Sequence, residues 1–185
     1  YKKTFDFKDP NVIAMVYLAI PVIIGVAVND INKIVDKTLA SQISVGGISA
    51  LNYSQSLNGF VQGIIVLSIT TAMYPVISKM AVNKDIKGLK KILLECIVAI
   101  SVLIMPISLG AMIFSKEIVG LLFGRGEFDL SAMEMTSNAL FFYSIGMIGY
   151  GLREVLSRPF YSLQNTKIPM VNASIGVALN IILNL

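Results

Sequence analysis

Long apolar blocks alternate along this chain with short polar or charged ones, and one block stands out. From Thr38 to Ser78 there is no Asp, Glu, Lys or Arg. Its second half, Gly59 to Ile77, is mostly Ile, Val, Leu, Phe and small residues. That is long enough to cross a hydrocarbon core of about 30 Å at about 1.5 Å per residue. The first half holds Asn52, Tyr53, Ser54, Gln55, Ser56 and Asn58, with Gln62 a turn deeper. The pattern predicts a membrane helix entered through a polar mouth.

Four more helices follow from the same pattern. Asp9 and Pro10 suit a helix start, the first as cap and the second as first helical residue, and open a helix over about 11–42. Its first half is apolar around Pro21; its second carries Asn29, Asp30, Asn32, Lys33, Asp36 and Lys37. Gly46 and Gly47 make a turn into the helix over 48–80, which contains Pro75. A third helix spans 85–114 around Pro106, and 115–129 is a compact loop or a short interfacial helix. A fourth runs over 131–164, with Ser131 and Glu134 at capping-box spacing, and a fifth begins near Pro169 and runs to 185. The expected fold is all-α and integral to a membrane, with five transmembrane helices bent at their prolines.

Composition agrees. The 185 residues are 55% hydrophobic and 14% charged, with mean hydropathy +0.76, whereas soluble domains carry about 25% charged residues. There is no His, which removes His-based metal sites and general bases, and Cys96 alone forms no internal disulfide. No Walker loop, metal-ligand cluster or Ser–His arrangement is present, so the expectation is no enzyme, no cofactor and no metal. Gly124-Arg125-Gly126 reads as a turn rather than a phosphate loop. The net charge of +4 points to no nucleic acid, because the basic residues ring the apolar segments. With Lys79–Lys91 placed in the cytoplasm, eleven positive residues fall on that side and four on the other, as the positive-inside rule asks. The short segment Tyr1 to Pro10, with Lys2, Lys3 and Lys8, reads as interfacial. A chain that begins at Tyr1 and stops at Leu185 inside an apolar run reads as a piece of a longer membrane protein.

Three clusters could carry function. Asn29, Asn32, Lys33 and Asp36 either line a water-filled cavity or have reached the headgroup region. Asn52, Tyr53, Gln55, Ser56 and Gln62 either line a cavity or hydrogen-bond neighbouring helices. Arg153 and Arg158 flank Glu154; Glu154 and Arg158 are one turn apart and suit an ion pair. The two arginines could also meet phosphate or snorkel to the interface. Glu95 is expected to pair with Lys91 one turn earlier.

Five segments, in order, carry a resemblance. They are Val35–Ser41, Gly47–Tyr53, Met73–Ser78, Leu121–Phe128 (Leu-Leu-Phe-Gly-Arg-Gly-Glu-Phe) and Arg158–Pro169 (Arg-Pro-Phe-Tyr-Ser-Leu-Gln-Asn-Thr-Lys-Ile-Pro). Together they resemble the MurJ/MviN lipid II flippases of the MOP exporter superfamily, over essentially the whole chain. The resemblance implies the start of the second lobe of a two-lobe transporter, whose first lobe is a missing partner. Such a protein sits in the bacterial inner membrane among its lipids. It moves an undecaprenyl-diphosphate-linked peptidoglycan precursor from inner to outer leaflet by alternating access.

Carried over position by position, the resemblance places Asp36, Asn52 and Tyr53 at the lobe's inner face and Arg125 with Gly126 in an outer loop. Arg158, Phe160, Tyr161 and Thr166 fall between the last two helices. Ser56 stands where the pattern leads one to expect an arginine facing the diphosphate. Either charge comes from elsewhere, Lys33 or the first lobe, or the substrate differs. Other MOP exporters, of polysaccharide-lipid, sporulation or drug type, are the alternative within transport. A non-transporting membrane scaffold is the alternative outside it.

Overall fold

Pro10 opens the first helix of this computed structural model, which describes residues 9–126 and 128–184. Lys2, Lys3 and Lys8, with the rest of the expected interfacial segment before Asp9, lie outside the described residues. The Asp9 carbonyl accepts from Ile13 N–H at 3.1 Å, and α1 then runs over Pro10–Ile43 through Pro21 without a break. Gly46, at φ +87°, turns the chain in a region that only glycine occupies cheaply. Helix α2 (Gly47–Val61) continues through a π-helical turn, Gln62–Val66, into α3 (Leu67–Val82) as one rod. At the π turn Leu67 N–H donates to the Gln62 carbonyl, five residues back. The change of backbone pattern in this rod thus falls beside Gly63, while Pro75 sits within unbroken α-helix.

The remaining helices are bounded by identifiable caps. Asp85 precedes α4 (Ile86–Ile113) and accepts from Gly88 N–H at 2.9 Å. The stretch after it folds as a short helix, α5 (Ser115–Phe123). Helix α6 (Leu130–Ser162) is capped by Asp129, which accepts from Ala132 N–H at 2.8 Å. The sequence had favoured Ser131 for that role; a carboxylate two residues earlier reaches the free N–H groups first. Helix α7 (Lys167–Leu183) starts ahead of Pro169, which is tolerated in a first turn where its missing N–H costs nothing. Lys84 and Gln164, at φ 55° and 58°, close α3 and α6 with paired reverse-turn bonds, Asp85 N–H to Met80 O and Asn165 N–H to Phe160 O.

No strand occurs among the described residues. Three of the helical rods, Val12–Gln42, Gly47–Val82 and Ile86–Ile113, are long and apolar enough to cross a membrane. The expectation of five such spans was broader. Helix α6 is 33 residues long, but its Ser, Thr, Asn and Gly residues lower its hydropathy, and α7 has only 17 residues.

Helix α6 forms the axis of the larger group, packing against α4, α2, α3 and α5. Val66, Met73, Ile77, Ile100, Ile104, Met147 and Val155 make the core. Small and hydroxyl residues carry the closest approaches, as between membrane helices generally. Ser54 Oγ donates to the Thr136 carbonyl at 2.8 Å, and Ser108 Oγ to the Ser144 carbonyl. A Cβ on Gly151 would lie 2.9 Å from Ile104 Cδ1 and 3.1 Å from Ile100 Cγ2. Helix α1 packs chiefly on α7, and that pair touches the rest mainly through α2 and the end of α6. The two groups therefore splay apart and leave a groove.

Overpacking at the α4–α6 contact gives a direct check. Gly151→Val is expected to destabilise by about 1–3 kcal/mol. Gly146→Ala, where nothing lies within 4 Å of the added atom, should be neutral or stabilise by up to about 1 kcal/mol. Thermal unfolding of the full-length protein in detergent separates the two.

Candidate substrate groove

The splay between α1–α7 and α6 encloses a cavity of about 830 Å³. Asn29 and Asn32 of α1, Asn172 and Asn180 of α7, and Arg153 and Glu154 of α6 are among its walls. A second cavity of about 480 Å³ adjoins it, lined by Lys33 and by Gln55, Asn58 and Gln62 of the α2 rod, with Tyr150 and again Glu154. Glu154 is thus common to both. Asn172 and Asn180 share a face of α7 because eight residues make a little over two turns.

Charge in the groove is concentrated around Glu154. It receives Arg158 Nη2 at 3.3 Å and Arg153 Nη2 at 3.7 Å, so the expected ion pair with Arg158 is present and Arg153 joins it. Arg153 also lies over the Tyr150 ring, 5.4 Å from its centroid, and Arg158 lies 6.0 Å from that of Tyr74. The Arg158 Nε is buried and unpaired. Two guanidiniums share one carboxylate, leaving a local excess of positive charge with spare donors, the kind of site that suits phosphate.

On α1, Lys33 pairs with Asp30 at 2.9 Å, but both side chains are about 60% exposed. A pair so open to solvent is worth little, and Lys33 Nζ remains available to the cavity it lines. Asn29 Nδ2 donates to the Gly25 carbonyl at 2.7 Å. Asp36 ties α1 to α7: its Oδ1 accepts from Asn184 Nδ2 at 3.0 Å and its Oδ2 from Asn32 Nδ2 at 3.2 Å. Asn32 Oδ1 is left buried without a partner.

The polar cluster of α2 separates into different environments. Gln55 Nε2 donates to the Tyr143 hydroxyl at 2.8 Å, and Asn58 Nδ2 to the Tyr143 carbonyl at 3.5 Å. Gln62 Nε2 donates to Asn58 Oδ1 at 3.1 Å, while Gln62 Oε1 is buried and unpaired. These amides both fasten α2 to α6 and face the cavity. Asn52 and Ser56 are exposed on another face, where Ser56 Oγ donates to the Asn52 carbonyl at 2.9 Å. Tyr53 points away, into an aromatic group with Phe123 and Phe128 near Arg125. Glu95 is exposed and makes no ion pair among the described residues, so its expected bond to Lys91 is absent.

Sequence reasoning missed Asn172, Asn180, Tyr143 and Tyr150. The two asparagines had a signal, a polar pair at helical spacing in an otherwise apolar segment. The tyrosines had none, because their role depends on which helix lies opposite. A double-mutant cycle on Gln55→Leu and Tyr143→Phe should return a coupling of about 1 kcal/mol in thermal unfolding; additive effects would show that the bond contributes nothing.

A family model described as lipid II flippase MurJ matches residues 1–185. A protein of Vibrio cholerae described as probable lipid II flippase MurJ is 36% identical over 180 residues, covering 97% of this chain and 34% of its own length. A lipid II flippase MurJ of Burkholderia cenocepacia is 28% identical over 170 residues, covering 92% and 33%. A solved structure, lipid II flippase MurJ in an inward closed conformation, superposes with a TM-score of 0.77 at 26% identity, covering all of this chain and 38% of that one. The chain spans about a third of the length of the curated relatives it matches. Helical throughout its described elements, with three rods long and apolar enough to cross a membrane and a match to the family model from end to end, this multi-pass membrane chain belongs to the lipid II flippase MurJ family.

Proposed function

We propose that this chain forms part of the second lobe of a flippase in the bacterial inner membrane. Its substrate is lipid II, an undecaprenyl-diphosphate-linked peptidoglycan precursor, moved from the inner to the outer leaflet. The observation that carries the reading is the groove between α1–α7 and α6, where Arg153 lines one cavity, Lys33 lines the next, and Glu154 is common to both amide-lined walls. Sugar hydroxyls and peptide amides need hydrogen-bond partners of both kinds, which Gln55, Asn58, Gln62 and Asn172 supply. A diphosphate needs donors, which Arg153 and Lys33 hold.

No bond is made or broken in this scheme. The lobe rocks against the first lobe and opens the groove to each side in turn. Headgroup charges travel in the wet cavity while the polyprenyl tail stays in hydrocarbon, avoiding the cost of burying ions there. In this scheme the basic stretch Lys79–Lys91 faces the cytoplasm and the Gly46 end lies outside, in keeping with the excess of basic residues on the cytoplasmic side. Outward movement of an anion is then favoured by an inside-negative potential, by about 2.3 kcal/mol per charge per 100 mV.

The test uses the full-length protein in cells without a redundant flippase. Depleting it should reduce the lipid II accessible at the outer surface, and wild type should restore it. Lys33→Ala should restore roughly tenfold less, the equivalent of about 1.4 kcal/mol in binding. Unchanged surface lipid II after depletion would assign the protein to another exporter branch.

A further inference from the structure

A further cavity lies apart from the groove. It encloses about 460 Å³ at the Gly46 end, between the α1–α2 turn, the close of α5 and the first turns of α6. That volume is within the range of small-molecule sites, about 300–1,000 Å³. Its walls combine three kinds of chemistry. Tyr53, Phe123 and Phe128 meet at centroid distances of 4.7, 5.6 and 6.1 Å. They are tilted by 45°, 84° and 41°, so none lies flat on another. Arg125 is exposed beside them and makes no ion pair among the described residues. Its position is fixed through its backbone, the N–H donating to the Phe123 carbonyl at 2.7 Å.

The third component is Thr136 on α6. It is wholly buried and lines the cavity, yet its Oγ1 has no hydrogen-bond partner. Buried hydroxyls are nearly always bonded. The carbonyl of the same residue is already bonded to Ser54 Oγ across the α2–α6 contact, so helix packing is served by the backbone and the hydroxyl is left over. An unsatisfied donor and acceptor at the wall of a cavity with an aromatic lining and an exposed guanidinium describes the chemistry of a ligand. It has an apolar face, an anionic group and a hydroxyl.

We propose that this cavity binds a sugar bearing an anionic group. The aromatic rings pack against the C–H face of the sugar, Arg125 holds the phosphate or carboxylate, and the Thr136 hydroxyl bonds a ring hydroxyl. A bare anion would leave the rings and Thr136 without a role; an acyl chain would leave Arg125 and Thr136 without one. The place of this site in transport rests on the translocation reading above, which puts the Gly46 end outside. There it receives the glycosyl phosphate of the headgroup after it has left the groove.

Calorimetric titration of the full-length protein in nanodiscs with N-acetylglucosamine 1-phosphate tests the assignment. N-acetylglucosamine, inorganic phosphate and glycerol 1-phosphate serve as comparisons. Saturable binding of the sugar phosphate, at least tenfold tighter than any comparison, is expected. Arg125→Gln and Phe128→Ala should each weaken it tenfold or more, and Thr136→Val, which removes only an unbonded hydroxyl, severalfold. Lys87→Ala, at the far end of the molecule, should change nothing. A flat titration, equal binding of inorganic phosphate or glycerol 1-phosphate, or wild-type affinity in Arg125→Gln would overturn the proposal. Flat titration with intact lipid II export removes this site alone. Normal titration with surface lipid II indifferent to depletion removes the translocation reading and leaves the sugar site standing.

Discussion

Hydrocarbon offers no hydrogen-bond partner, so a bundle that crosses a membrane must satisfy its polar groups internally or expose them to a wet cavity. Apart from Thr136 Oγ1 and Arg158 Nε, the larger helical group follows the first option along α6. Ser54, Thr70, Ser108 and Ser144 all spend their hydroxyls on backbone carbonyls, two of them across helix contacts. Small side chains and Gly151 let those helices approach closely enough for dispersion to hold them. With these contacts made, α2, α3, α4 and α6 share one packed core.

The groove follows from what α1 and α7 do not share with that body. Their common interface is tied by Asp36 and Asn184 at one end, and their outer faces remain covered with exposed apolar residues such as Tyr17, Ile23 and Leu179. Polar side chains between the two groups, Asn32 and Gln62 among them, retain buried acceptors with no partner. Such atoms are costly in a dry interior and natural in a cavity that fills with water or substrate. The π turn at Gln62–Val66 lies on the wall of this cavity, in keeping with the frequent placement of such turns at functional sites.

Much of the fold was legible because its signals are local. Uncharged runs long enough to span, Asp before a helix and Gly at the turn each act within a few residues. Where the reading departed from the structure, competition between neighbours decided. Asp129 took the cap from Ser131, and a π turn beside Gly63 carried no signal in the sequence. The polar residues of α2 looked like one cluster along the chain, yet a helix turns 100° per residue and three neighbouring bodies lie around it. Gln55 reached Tyr143, Tyr53 reached Phe123, and Ser56 bonded back to Asn52 of its own helix.

The sequence by itself determined that this is an all-helical membrane chain with a polar mouth. Hydropathy, charge and capping are properties of short segments, and ordered motifs along the chain were enough to suggest the family. Tertiary structure decided which polar residues meet. Ser54 and Thr136 are separated by 82 positions, Gln55 and Tyr143 by 88, Asp36 and Asn184 by 148. No periodicity within one helix encodes such pairings. They arise from how α2 packs on α6 and α1 on α7, which depends on the packing of all the helices at once.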